Sequence, residues 1–105
     1  MAQIPSKINL NKREKWKGIL EEVEKDEVPV EVMERVTVNL IDGTAVDINI
    51  RQLILNGEDP HAVQQELQNK LTTLDQYIED VDFHINIDAV VNAVQPVTDR
   101  ILRKL

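Results

Sequence analysis

Two runs of alternating apolar and polar residues stand out near the middle of the chain. Val36, Val38 and Leu40 alternate with Arg35, Thr37 and Asn39, and Val46, Ile48 and Ile50 alternate with Asp47, Asn49 and Arg51. A period of two sends every second side chain to the same face of an extended strand. Asp42-Gly43 lies between the runs and predicts a β-hairpin closed by a type I′ turn, in which both central residues take positive φ. A third run has the same period: Val81, Phe83, Ile85 and Ile87 alternate with Asp82, His84, Asn86 and Asp88.

Around these runs the apolar spacing lengthens toward 3.6. Asn11 is an N-cap candidate for a helix reaching about Glu24, with Trp16, Ile19, Leu20 and Val23 on one stripe. Val28-Pro29 ends it, because the residue before proline disfavours the α region. Residues 30–34 suit either one helical turn or an extended segment. Gln52 to Asn56 predicts a short helix ended by Gly57 at the C′ position. Asp59-Pro60 supplies the N-cap and first position of a longer helix, running through at least Leu71 with Val63, Leu67, Leu71 and Leu74 inward. Asp88 is a cap candidate for a last helix facing inward with Val90, Val91, Val94, Val97, Ile101, Leu102 and Leu105. Pro96 should kink or break it.

The order α–β–β–α–α–β–α predicts an α+β fold: a small two-layer domain with helices on one face of an antiparallel sheet. The sheet is expected to consist of the hairpin and the third strand, with helices at both ends of the chain. Residues 1–10 read as an N-terminal arm and 11–105 as a single domain. At 105 residues one domain is the expected number. With only Trp16, Tyr77 and Phe83 aromatic, the core must be built from Val, Ile and Leu.

Charge divides the chain. The net charge is −7, yet residues 1–17 carry Lys7, Lys12, Arg13, Lys15 and Lys17 against Glu14 alone. Either this is a solvated helix balancing its own acidic body, or it is an interaction arm that seeks nucleic acid or an acidic protein. The acidic remainder argues against broad nucleic-acid binding, since phosphate neutralisation supplies most non-specific affinity. The first helix also runs against its macrodipole: basic at the start, acidic at the end. It therefore needs packing or a partner to persist. No apolar run approaches the ~20 residues of a membrane span, and Met1-Ala2-Gln3-Ile4-Pro5 lacks an apolar signal core, so a cytoplasmic compartment is expected.

Catalytic material is thin. There is no cysteine, Ser6 is the one serine, and the three glycines are isolated at 18, 43 and 57, so no phosphate loop exists. We expect no enzyme and no cofactor. Asp80, Asp82, His84 and Asp88, with Asn86, would share one face of a strand, at spacings that let two neighbours hold a hard cation with a third ligand from elsewhere. The same residues also suit the solvated face of a half-buried strand, and that reading weighs more. His84, flanked by Asp82 and Asn86, could form a pH-sensitive patch; His61 reads as an exposed first-turn residue.

For binding, two surfaces carry weight. One is the basic first helix with Lys12, Arg13, Lys15, Trp16 and Lys17, where the tryptophan is either core or anchor. The other is the last helix, whose Val97, Ile101 and Leu105 either pack inward or pair with a second copy. The stretches Glu34–Gly43, Asn56-Gly57-Glu58-Asp59-Pro60 and Asp80–Asp88 resemble small accessory and structural proteins of T4-like tailed phages, particularly those of cyanobacteria. That resemblance carries over no functional residue. It implies a viral accessory or assembly protein in the host cytoplasm or the virion. The leading expectation is a non-enzymatic interaction protein that docks on a protein partner or on itself, as a homo-oligomer. The alternative is a regulator of nucleic-acid machinery, acting through the basic arm or through acidic mimicry.

Overall fold

The computed structural model describes residues 6–25 and 27–91. Strand β1 (Lys7–Leu10) leads into helix α1 (Arg13–Glu24), and a 3₁₀ turn (Val30–Val32) leads into β2 (Met33–Leu40). Then follow β3 (Ala45–Ile48), α2 (Ile50–Leu55), α3 (Pro60–Leu74), a second 3₁₀ turn (Asp75–Tyr77), β4 (Ile78–Ile85) and α4 (Ile87–Val91). The four strands form one antiparallel sheet in the order β1-β4-β2-β3, an α+β fold as expected. No helix among the described residues is long and apolar enough to cross a membrane.

Alternation decides which face is covered. Ile8, Leu10, Val36, Val38, Ile48, Val81, Phe83 and Ile85 all point into the core, where Trp16, Ile19, Leu20 and Val23 of α1 and Val63, Leu67 and Leu71 of α3 meet them. Phe83, fully buried on the central strand β4, is among the largest of these side chains. Burying a side chain of that size contributes roughly 1.5–3 kcal/mol. The opposite face of the sheet is polar, with Lys7, Asn9, Arg35 and Asp47 exposed and no helix among the described residues over them.

The second hairpin strand is shorter than its alternation predicts: β3 ends at Ile48, Asn49 caps α2 by accepting from Gln52 N–H, and Ile50 and Arg51 open that helix. Three further local expectations change on contact with the fold. The hairpin forms, but its turn is not type I′. Gly43 N–H donates to the Leu40 carbonyl at 3.0 Å and Leu40 N–H to the Thr44 carbonyl at 2.8 Å. Gly43, at φ +91°, therefore occupies the left-handed position after the turn and not its centre. Asp42 braces the loop by accepting from both the backbone and the hydroxyl of Thr44. Next, the helix start falls to Lys12, with no side-chain cap, and not to Asn11. Finally, the third strand ends at Ile85, and Asn86 caps α4 by accepting from Ala89 N–H at 3.2 Å. Asp88 is inside that helix.

Of the segment read as an arm, residues 1–5 lie outside the described residues, and Lys7–Leu10 form an edge strand of the sheet, paired with β4. Residues 30–34 divide into a 3₁₀ turn and the first residues of β2. The α2 terminus matches expectation in detail. Glu58 N–H reaches the Leu53 carbonyl and Gly57 N–H the Ile54 carbonyl, with Gly57 at φ +93°, which is the Schellman arrangement. Asp59 caps α3 with Pro60 at its start, also as read. The final helix beyond Val91, with Pro96, Val97, Ile101 and Leu105, lies outside the described residues.

Candidate functional site: the open polar face of the sheet

Register across the four strands arranges the outward residues into three rows. Lys7, His84 and Arg35 stand in the first; Asn9, Asp82, Thr37 and Asp47 in the second; Asp80, Asn39 and Ala45 in the third. Cationic groups thus collect at one end of the face, and carboxylates in the middle and at the other end. Cross-strand neighbours in such rows are close enough to interact, and these do. Asp82 accepts from the Asn9 amide at 2.7 Å on one oxygen and from the Asn39 amide at 3.0 Å on the other. Asn39 also donates to Asp80. The Thr37 hydroxyl donates to Asp47, which lies 3.6 Å from the Arg35 guanidinium. One carboxylate, Asp82, therefore joins β1, β4 and β2.

His84 Nε2 lies 3.3 Å from the Thr37 hydroxyl oxygen. Because that hydroxyl gives its proton to Asp47, Nε2 must be the donor to Thr37, which places a proton on Nε2. Burial pushes the Asp82 carboxyl up, but the amide bonds from Asn9 and Asn39 and the charges of Lys7 and His84 outweigh it and hold it below its ordinary value.

The first row opens into a groove of about 400 Å³ whose walls include Glu34, Arg35, Arg51, Gln52, Leu55 and His84. A β-bulge makes it. Met33 pairs with Ile85 and Arg35 with His84, so Glu34 is the extra residue on β2. The bulge lets Met33 and Val36 both face the core, which strict alternation forbids. It also leaves Glu34 beside Arg51 at 3.3 Å. Sequence reading missed this groove. Its residues come from β2, α2 and β4, and no spacing along the chain joins Arg35, Arg51 and His84.

The residues singled out beforehand fare unequally. Asp80, Asp82 and His84 share the open face, but Asp88 belongs to α4, so the proposed metal-ligating set is not assembled. Among the described residues no group of three His, Asp or Glu side chains is placed to hold a metal ion. Trp16 is 3% exposed and belongs to the core, so its ring cannot serve as a surface anchor. Arg13 and Lys17 converge on Asp75, at 2.9 and 3.0 Å, and pin α1 to the end of α3. Lys17 also stands 5.7 Å from the Trp16 ring centre. Lys12 is exposed and Lys15 half-buried. Arg13 and Lys17 are thus engaged within the fold, which helps hold a helix of reversed polarity. The chain matches no protein-family model, no curated protein and no solved structure.

Proposed function

We propose that the protein is a non-enzymatic assembly module that docks through the open polar face of its sheet, with a second copy of itself as the occupant. What carries this reading is the charge-separated face: Lys7, His84 and Arg35 at one end, Asp82 and Asp47 in the middle and Asp80 at the other end. A two-fold axis in the plane of the face, across the strands and between the first and second rows, sets the Lys7, His84 and Arg35 row of one copy over the Asp82 and Asp47 row of the other, a self-complementary contact. Exposed apolar side chains at both ends support it. Leu55 lies beside the cationic row, and Ile41 beside Tyr77, whose carbonyl accepts the Ile41 N–H, lies at the acidic end. The further reading as a viral accessory or structural factor rests on the phage resemblance alone. The regulator reading has less support, because Arg13 and Lys17 are committed to Asp75.

The test is absolute mass by light scattering behind a sizing column. A dimer at low salt should dissociate at high salt, since the screening length falls from about 10 Å at 0.1 M to about 3 Å at 1 M. Arg35→Glu, on an exposed side chain, should give monomer at either salt. A monomer at every concentration in low salt overturns the reading, and so does a dimer indifferent to both salt and Arg35→Glu.

A further inference from the structure

The groove at the cationic end differs in kind from its neighbours. Two arginines, Arg35 and Arg51, face one carboxylate, Glu34, across it. In another groove Lys17 faces Glu21, Glu24 and Asp75; a third has Glu31 and Asp59 beside His61; a fourth balances Glu31 with Arg51. In a chain of net charge −7, a concave cationic lining runs against the mean field.

Internal ion pairing does not account for it. Arg51 Nη1 donates to Glu34 at 3.3 Å, and Arg35 Nε stands 3.6 Å from Asp47, an ion pair beyond hydrogen-bond length. Each guanidinium carries further N–H groups beyond these two contacts, and both side chains are about half exposed. A guanidinium presents five donors in a planar fork that matches the oxygens of a carboxylate or phosphate. Leu55, 70% exposed, adds an apolar wall beside them.

We propose that this groove is an oxyanion-binding site, which takes the phosphate or carboxylate group of a ligand between Arg35 and Arg51 and rests an apolar part of it on Leu55. His84 reports on occupancy. Its Nε2–H is engaged by Thr37, so further protonation falls on Nδ1, and an anion in the groove favours that charged form. Lys7, Arg35 and Asp82 also neighbour this ring on the open face. The inference does not rest on the dimer reading: mass measured on the same samples separates the two, since saturable binding by a monomer keeps this site and removes that contact.

The experiment follows the imidazole proton resonances of His84 and His61 by NMR during titration with inorganic phosphate, glutarate or chloride at matched ionic strength. His84 should respond saturably in the millimolar range to phosphate, glutarate or both, and its titration midpoint should rise. His61, beside carboxylates, should follow ionic strength only. Response to phosphate alone assigns a phosphate-bearing ligand, and response to glutarate alone a carboxylate. Arg51→Gln should weaken binding about tenfold, the scale of one lost charge-assisted hydrogen bond, and Lys12→Gln should not. Arg35→Gln serves if Arg51→Gln fails to give a folded spectrum. A His84 response to chloride equal to that for either oxyanion overturns the proposal, as does saturation unchanged in both arginine variants.

Discussion

Replacing Asp82 with alanine removes the carboxylate through which three strands of the open face are joined. Its two oxygens accept from Asn9 on β1 and Asn39 on β2, at 2.7 and 3.0 Å. A hydrogen bond to a charged group contributes roughly 1.5–3 kcal/mol when buried, and less where water can replace the partner. Both bonds lie on a face that water reaches, so each falls below that range, at about 1 kcal/mol, and the pair together stabilises by about 2 kcal/mol. For a domain of this size that corresponds to a fall in Tm of about 10 °C. Urea unfolding of both proteins across a pH series measures it.

The pH dependence is the sharper part. The carboxyl is held below its ordinary value in the fold. Its contribution is therefore complete above the unfolded value, about pH 4, and disappears as the pH falls through the lower folded value. The gap between wild type and Asp82→Ala should narrow as the pH falls below about 4. Asp42 is held low as well, by bonds from the hydroxyl and backbone of Thr44, but it is present in both proteins and cancels from the difference. A variant as stable as wild type at neutral pH, or a gap that persists undiminished in acid, would refute the reasoning.

Two further outcomes are expected. Asp75→Ala releases Arg13 and Lys17 from the end of α3 and should cost about 1 kcal/mol, more at low than at high salt, because both cations are half exposed; equal losses at both salts would count against an ionic tether. Gly43→Ala meets no neighbouring atom, so its cost comes from the +91° φ alone, about 1 kcal/mol, read as a shift in the urea midpoint with unchanged slope.

Much of the open face was legible because its chemistry is local. Alternation in 35–40, 45–48 and 81–85 already separates Val and Ile from Arg, Thr, Asn, Asp and His, and a strand can satisfy that separation in only one way. The caps at Asp59 and Gly57 were legible for the same reason, since each depends on two or three adjacent residues. β1 was less legible. Lys7–Leu10 holds two apolar residues, too few to distinguish a strand from an extended arm, and it becomes a strand because β4 offers it an unpaired edge. The cap of α4 depended on where β4 stopped pairing, and so it fell to Asn86 and not Asp88.

By itself, then, the chain's order of residues determined an α+β domain, a hairpin about Asp42-Gly43, one buried and one polar face per strand, and a lack of thiol or phosphate-loop chemistry. These follow from side-chain period, turn stereochemistry and composition, all of which act over a few residues. Tertiary structure alone decided which polar residues became neighbours. The register of β4 against β1 and β2 set Lys7, His84 and Arg35 in one row, the bulge at Glu34 turned that row into a groove, and the packing of α2 brought Arg51 to it. Register is a global property, fixed by burying Val36, Val38, Val81 and Phe83 together; polar residues contribute little to that choice and are carried wherever the core places them.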